Sequence, residues 1–129
     1  MAIVVTRTES GMSLTTSFAA LDNLGGASVS SSFTVPQNVG AIKSVSISMT
    51  NDANEETIGL CKISGNAMRD GDAVFTAAGM VVGATATGNT SNNIQYDTDL
   101  GVVAGNSVEI SLAGTTAATV DAAVSITFA

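Results

Sequence analysis

Asp52, Asn54, Glu55 and Glu56 place four oxygen-bearing side chains on one short polar segment, Asn51 to Glu56. Calcium takes about six to eight oxygen ligands, and loops between strands often supply them. The spacing has neither the glycine nor the terminal glutamate of an EF-hand loop. Two readings follow: a calcium-binding loop built on these four residues, or a solvated turn. Asp70, Asp72, Asp97 and Asp99 pose the same question. They converge on one cation only if two loops meet at one end of the molecule. Calcium is therefore the one cofactor the residues allow, and no other is expected.

Paired carboxylates also serve glycoside hydrolysis. Sugar sites want an aromatic platform as well, and the chain has no tryptophan and a single tyrosine, Tyr96. With no histidine, a Ser–His–Asp triad is excluded by composition. Catalytic zinc is disfavoured for the same reason, with Cys61 the only thiol. Cys61 sits in the strand-like run Thr57 to Ile63, where a free cysteine behaves as a small buried apolar residue. Gly25-Gly26 precedes an extended segment rather than a helix, so it is not a phosphate loop. An enzyme is not expected.

The cations are Arg7, Lys43, Lys62 and Arg69, no two of them adjacent, in a chain of net charge −7. Nucleic-acid binding needs clustered cations to neutralise phosphates. Direct nucleic-acid binding is not expected, and an anionic membrane surface is disfavoured on the same ground. Charged residues make up 12% of the chain, about half the share of ~25% usual in soluble domains. Ser, Thr, Asn and Gly must then cover much of the surface. Such a surface suits burial against other subunits, and it also fits a secreted β-protein or a plain soluble domain.

The elements that carry these residues follow from a period of two. In the closing stretch, Val120, Ala122, Val124, Ile126 and Phe128 alternate with Asp121, Ala123, Ser125 and Thr127. One face is apolar and the other small or polar, which is a half-buried strand. The same alternation marks Ile3–Thr8, Ser13–Ala20, Ser28–Val35, Ala41–Thr50, Asn92–Thr98 and Ser107–Ala113. Thr57 to Ser64 is apolar on both faces, with Ile58 and Leu60 on one and Cys61 and Ile63 on the other. A strand of that kind is covered on both sides. Ser10-Gly11, the Asp22 to Gly26 segment and Gly114 to Thr116 read as turns. Pro36 ends the strand before it. Gly65 to Asp72 is the best place for a short helical turn, and Ala73–Thr76 and Met80–Ala84 are two short extended pieces.

About eight strands, spaced as in a sandwich or barrel, predict an all-β fold. Two facing antiparallel sheets, arranged as an eight-stranded jelly roll, are the expected architecture. With no linker and no repeat, residues 1–129 read as a single domain. Only 4% of residues are aromatic, so aliphatic side chains must build the core. Met1 to Arg7 does not read as a signal peptide, and no apolar run reaches the ~18 residues of a membrane span. The expected product is soluble in the cytoplasm in which it is made. Ile3-Val4-Val5 and the closing strand either pair within one subunit or reach a neighbour's sheet edge.

Three segments resemble the single jelly-roll coat proteins of icosahedral viruses. They are Phe33-Thr34-Val35-Pro36 with Ile42 to Ser48, then Val102 to Ile110, then Ala123 to Phe128. Together they span about half the chain. The resemblance implies a non-enzymatic structural subunit, a capsid or capsid-surface (decoration) protein. It implies a homo-oligomer in a virion, with other virion proteins as further partners. That family works through surfaces, so no catalytic residue carries over. The chain departs from many members in lacking a basic N-terminal arm, so a genome contact through such an arm is not implied. The rival readings are a subunit of a cellular filament or surface layer and a calcium-dependent ligand-binding β-sandwich module.

Overall fold

The computed structural model describes residues 2–51, 57–81 and 90–129. Two antiparallel sheets carry the fold. The first has the order β1 (Ile3–Leu14), β11 (Ala118–Phe128), β6 (Ala41–Asn51), β9 (Thr90–Gly101). The second runs β2 (Ala19–Ala20), β10 (Ser107–Gly114), β7 (Thr57–Ser64), β8 (Ala73–Val81), and β5 (Ser32–Thr34) also pairs with β10. β2 pairs at Ser111 and Leu112 of β10 and β5 at Ser107 to Glu109, so these two pieces share one strand position. The chain changes sheet at nearly every step, and among the described residues β7 with β8 forms the one hairpin between neighbouring long strands of a sheet. Eight strand positions in two four-stranded sheets with this order are a jelly roll. The fold is all-β, as the alternation predicts.

Alternation decides which side chains meet between the sheets. On β11 the even positions from Ala118 to Phe128 are buried and the odd ones are half-buried or exposed. On β6 Val45, Ile47 and Met49 point inward and are almost fully buried. Cys61 and Ile63 of β7 and Val108, Ile110 and Leu112 of β10 answer them from the other sheet. Aliphatic side chains dominate this core, and Phe128 is its largest fully buried member. Removing such side chains from water is the main term holding the sheets together.

The two open seams of the sandwich are closed by aromatic rings. At one, Phe33 of β5 meets Phe128 of β11 edge-on, with ring centroids 6.4 Å apart. The Arg7 guanidinium lies 4.9 Å from the centre of the Phe33 ring and donates to the Ser30 carbonyl. At the other seam, Phe75 of β8 packs on Tyr96 of β9 with centroids 5.1 Å apart. The Tyr96 hydroxyl donates to the Thr76 carbonyl at 2.8 Å, which ties the edge of one sheet to the edge of the other.

Several boundaries differ from the pattern reading, each for a local reason. Ser10-Gly11 is not a turn between strands, because β1 runs through it as a bulge. Gly11 takes φ +63° there, and its N–H donates to the Asp121 carboxylate at 2.7 Å. A bulge absorbs an extra residue without ending a strand. Ser13–Ala20 is not one strand either. Thr15 Oγ1 accepts the Ser17 N–H, a local bond that bends the chain away after Leu14. Ser28–Val35 is divided between β4 (Ala27–Ser28) and β5, and β4 forms a small hairpin with β3 (Asn23–Leu24).

Gly65 to Asp72 contains turns rather than a helix. Met68 N–H donates to the Gly65 carbonyl, while Met68 also makes a bridge to Val102. Ala73 to Val81 is one continuous strand through Gly79, held by pairing with β7. Both chain ends pair with each other inside the subunit, from Ile3 opposite Phe128 to Leu14 opposite Ala118.

Cys61 is fully buried, and burial pushes its thiol up to about 12 from 9.0. The folded thiol therefore stays protonated at pH values where an unfolded one ionises, and this opposes folding progressively as pH rises above 9.0. An aromatic disulfide reagent at pH 8 should label Cys61 only at the rate at which the protein unfolds. Rapid labelling of the native protein would contradict this placement.

Candidate assembly surfaces

With the inward side chains committed to the core, chemistry falls to the outer faces of the sheets and to one strand edge. The four-stranded face of β1, β11, β6 and β9 is laid out in hydroxyl rows. Thr6, Ser125, Ser46 and Gln95 stand side by side in register, as do Val4, Thr127, Ser44 and Asp97. Thr6 and Ser125 hydrogen-bond through their hydroxyls at 2.9 Å. This face is short-chained and almost flat in chemistry. Its charges are Asp97, Asp99 and Asp121 against Lys43, whose ammonium pairs with Asp99 at 2.6 Å. Both partners are well exposed, so the pair adds little to stability.

The outer face of β7, β8 and β10 is different. Ile58 is 39% exposed and Val74 56% exposed, with half-buried Leu60 on the same side of β7. Thr76 stands opposite Leu60 and Lys62 opposite Val74. On β10, Ser111 stands opposite Lys62 and Ala113 opposite Leu60, both outward yet buried. The Lys62 ammonium sits 4.7 Å from the centre of the Phe18 ring. Glu109, at the far end of β10, accepts a hydrogen bond from the Ser31 hydroxyl. In the sequence Ile58 and Leu60 are legible as sharing one face of a two-sided strand, and burial of Cys61 and Ile63 shows that this face turns outward. Val74 is not legible in this way, because a short piece such as Ala73–Thr76 does not reveal its register.

The free edge of β1 is gripped by the segment that carries β3 and β4. Arg7 donates to the Ser30 carbonyl, Thr8 Oγ1 accepts the Gly25 N–H at 2.8 Å, and Glu9 accepts the Asp22 N–H at 2.9 Å. Three consecutive side chains thus hold one excursion. No sequence signal marks them, since they are a charged and polar run in a strand. Covering an edge in this way keeps its backbone groups from pairing with another chain.

Partial burial raises the Glu9 carboxyl above its ordinary 4.5. The hydrogen bond from the Asp22 backbone opposes that rise, and the Asp22 carboxylate nearby adds to it. Below 4.5 the group is protonated in both the folded and unfolded states. As pH climbs past that value the unfolded group ionises first, so the stability it contributes is lost as pH rises through the folded value. Glu9→Gln should therefore melt higher than the parent at pH 7 and converge with it near pH 4. A variant that melts lower at pH 7 would show that the ionised carboxylate holds the excursion.

Glu9 also lines a shallow open depression with Ser48, Thr50 and Asp121. Asp52, Asn54, Glu55 and Glu56 lie outside the described residues. Among the described residues, no group of three or more His, Cys, Asp or Glu side chains is placed to hold a metal ion. Asp70, Asp72, Asp97 and Asp99 are thus not brought together, and Asp99 is turned to Lys43 instead. Among the same residues, no helix is long and apolar enough to cross a membrane.

No protein-family model matches the chain, and no curated protein matches it. Among solved structures it is similar to the VP2 subviral particle of infectious bursal disease virus, at 13% identity and a TM-score of 0.44. That match covers 98% of this chain and 32% of the other. It is also similar to structures of the Gx strain of that virus (9% identity, TM-score 0.47, 98% of this chain and 32% of that one) and of the Gt strain (14%, 0.44, 98% and 33%). The chain spans about a third of the length of each of these proteins.

Proposed function

We infer that this chain is a non-enzymatic structural subunit that self-assembles into a homo-oligomeric shell, as a viral capsid or capsid-surface protein. The reading takes residues 1–129 as one sandwich domain located in a virion. The observation that carries it is the jelly-roll strand order together with an outer face on β7, β8 and β10 that bears, among the described residues, only Lys62 and Glu109 as charges. A subunit that buries such a face against copies of itself avoids the cost of desolvating charge. Composition supports the same reading, since the chain has no histidine for a triad or a zinc site and no tryptophan for a sugar platform. Its partners are then other copies of the chain, with other virion proteins beside them.

Negative-stain imaging of the concentrated native protein tests this reading. Closed particles or rings are expected, because a shell needs contacts whose rotations close. Filaments would transfer the protein to the fibre or surface-layer reading. Dispersed single subunits whose melting temperature rises with added calcium would transfer it to the ligand-binding module, by linkage between ligand and folded state.

A further inference from the structure

We propose that the outer face of β7 and β8 is the surface on which two copies of this chain meet. This rests on the self-assembly reading and names the contact within it. The face carries Ile58 and Val74, exposed by 39% and 56%, with Leu60 between them. Apolar side chains left outward on neighbouring strands of one sheet are a surface that gains from being covered.

Charge selects a second copy as the occupant. Among the described residues the face bears one cation, Lys62, and one anion, Glu109, which balance each other in a chain of net charge −7. A two-fold contact sets the same patch against itself. Each side then presents one positive and one negative group, and no net charge accumulates. A polyanionic or polycationic partner finds no matching field here. The opposite sheet offers no such match to itself, because Asp97, Asp99 and Asp121 outnumber Lys43 on its face. Val4 is the exposed apolar residue there, at 59%, and it stands among Thr and Ser side chains with acidic neighbours. Two copies of a −7 chain repel each other away from the contact, so association should strengthen as added salt screens that repulsion.

Sedimentation equilibrium of the full chain at low and moderate salt tests the proposal. The wild type should self-associate, more tightly at the higher salt. Val74→Asp places a charge in the patch and should weaken association about tenfold or more. Val4→Asp, equally exposed on the opposite sheet, should leave it unchanged. Circular dichroism checks that each variant is folded. Should Val74→Asp fail to fold, Val74→Thr keeps the β-branched shape, removes one apolar group, and should still weaken association measurably.

A wild type that associates while the folded Val74 variants associate equally well overturns this inference and leaves the self-assembly reading standing. Loss of association in Val4→Asp alone also overturns it, moving the contact to the opposite sheet. A wild type that stays monomeric at every concentration overturns both. So does a monomer that floats with phosphatidylcholine vesicles unless Val74 is replaced, since lipid would then be the occupant.

Discussion

Phe128→Ala should lower the free energy of unfolding by about 3–5 kcal/mol, the range for removing a buried aromatic ring from a packed core. Phe128 is fully buried, stands opposite Ile3 and Ile42 in its own sheet, and reaches across to Phe33 in the other. Few other side chains in this core can fill the space, because the chain has only four phenylalanines and no tryptophan. The loss also propagates. Phe33 supports the Arg7 guanidinium, and Arg7 holds the Ser30 carbonyl. The seam between β1 and β5 should loosen together with the core. Urea unfolding followed by circular dichroism measures the change. A cost below about 1 kcal/mol would mean that the ring is not enclosed.

Gly65→Ala should be comparably damaging, at about 3–5 kcal/mol, from backbone strain and overpacking combined. Gly65 takes φ +129°, a conformation that side chains rarely adopt. An added Cβ there would lie 2.3 Å from the Ser107 carbonyl oxygen and 3.0 Å from Val108 Cα. Those are backbone atoms at the start of β10, and they cannot easily retreat. Ser107 O already accepts the Ala67 N–H, and Ser107 N–H donates to the Asn66 side chain. Gly25→Ala is the control. Gly25 also has positive φ, at +60°, but nothing lies within 4 Å of an added Cβ. That substitution should cost only about 1–2 kcal/mol, from backbone strain alone. Equal costs at the two sites would show that the close approach at Gly65 carries no energy.

Long strands are legible where the period of two runs unbroken, whether the outer face is polar, as in Ala41 to Thr50, or apolar, as in Thr57 to Ser64. Thr57–Ser64 has the bounds its pattern predicts, and Ala41 to Thr50 and Ser107 to Ala113 each extend by one residue. Alternation fails where a strand bulges or where the chain leaves a sheet after a few residues. It missed the bulge at Gly11, because a register shift looks like a turn when the partner strand is unknown. It merged Ser13 with Ala20 and Ser28 with Val35, because those segments leave one sheet and join the other only in short pieces. The grip of Arg7, Thr8 and Glu9 on the 21–31 excursion was invisible, since it joins polar side chains to backbone groups across unlike segments. Ile58 and Leu60 are readable in the sequence as sharing one face of a two-sided strand, but which face turns outward is not. Val74 needed its pairing with Lys62 to be placed beside them.

Light scattering of the purified native protein over a wide concentration range measures whether the chain assembles. A structural subunit predicts a mass well above the 12.8 kDa of one chain, at a fixed multiple of it and rising to that multiple with concentration. A particle that holds at 12.8 kDa throughout would mean that the chain is a monomer and not a shell subunit.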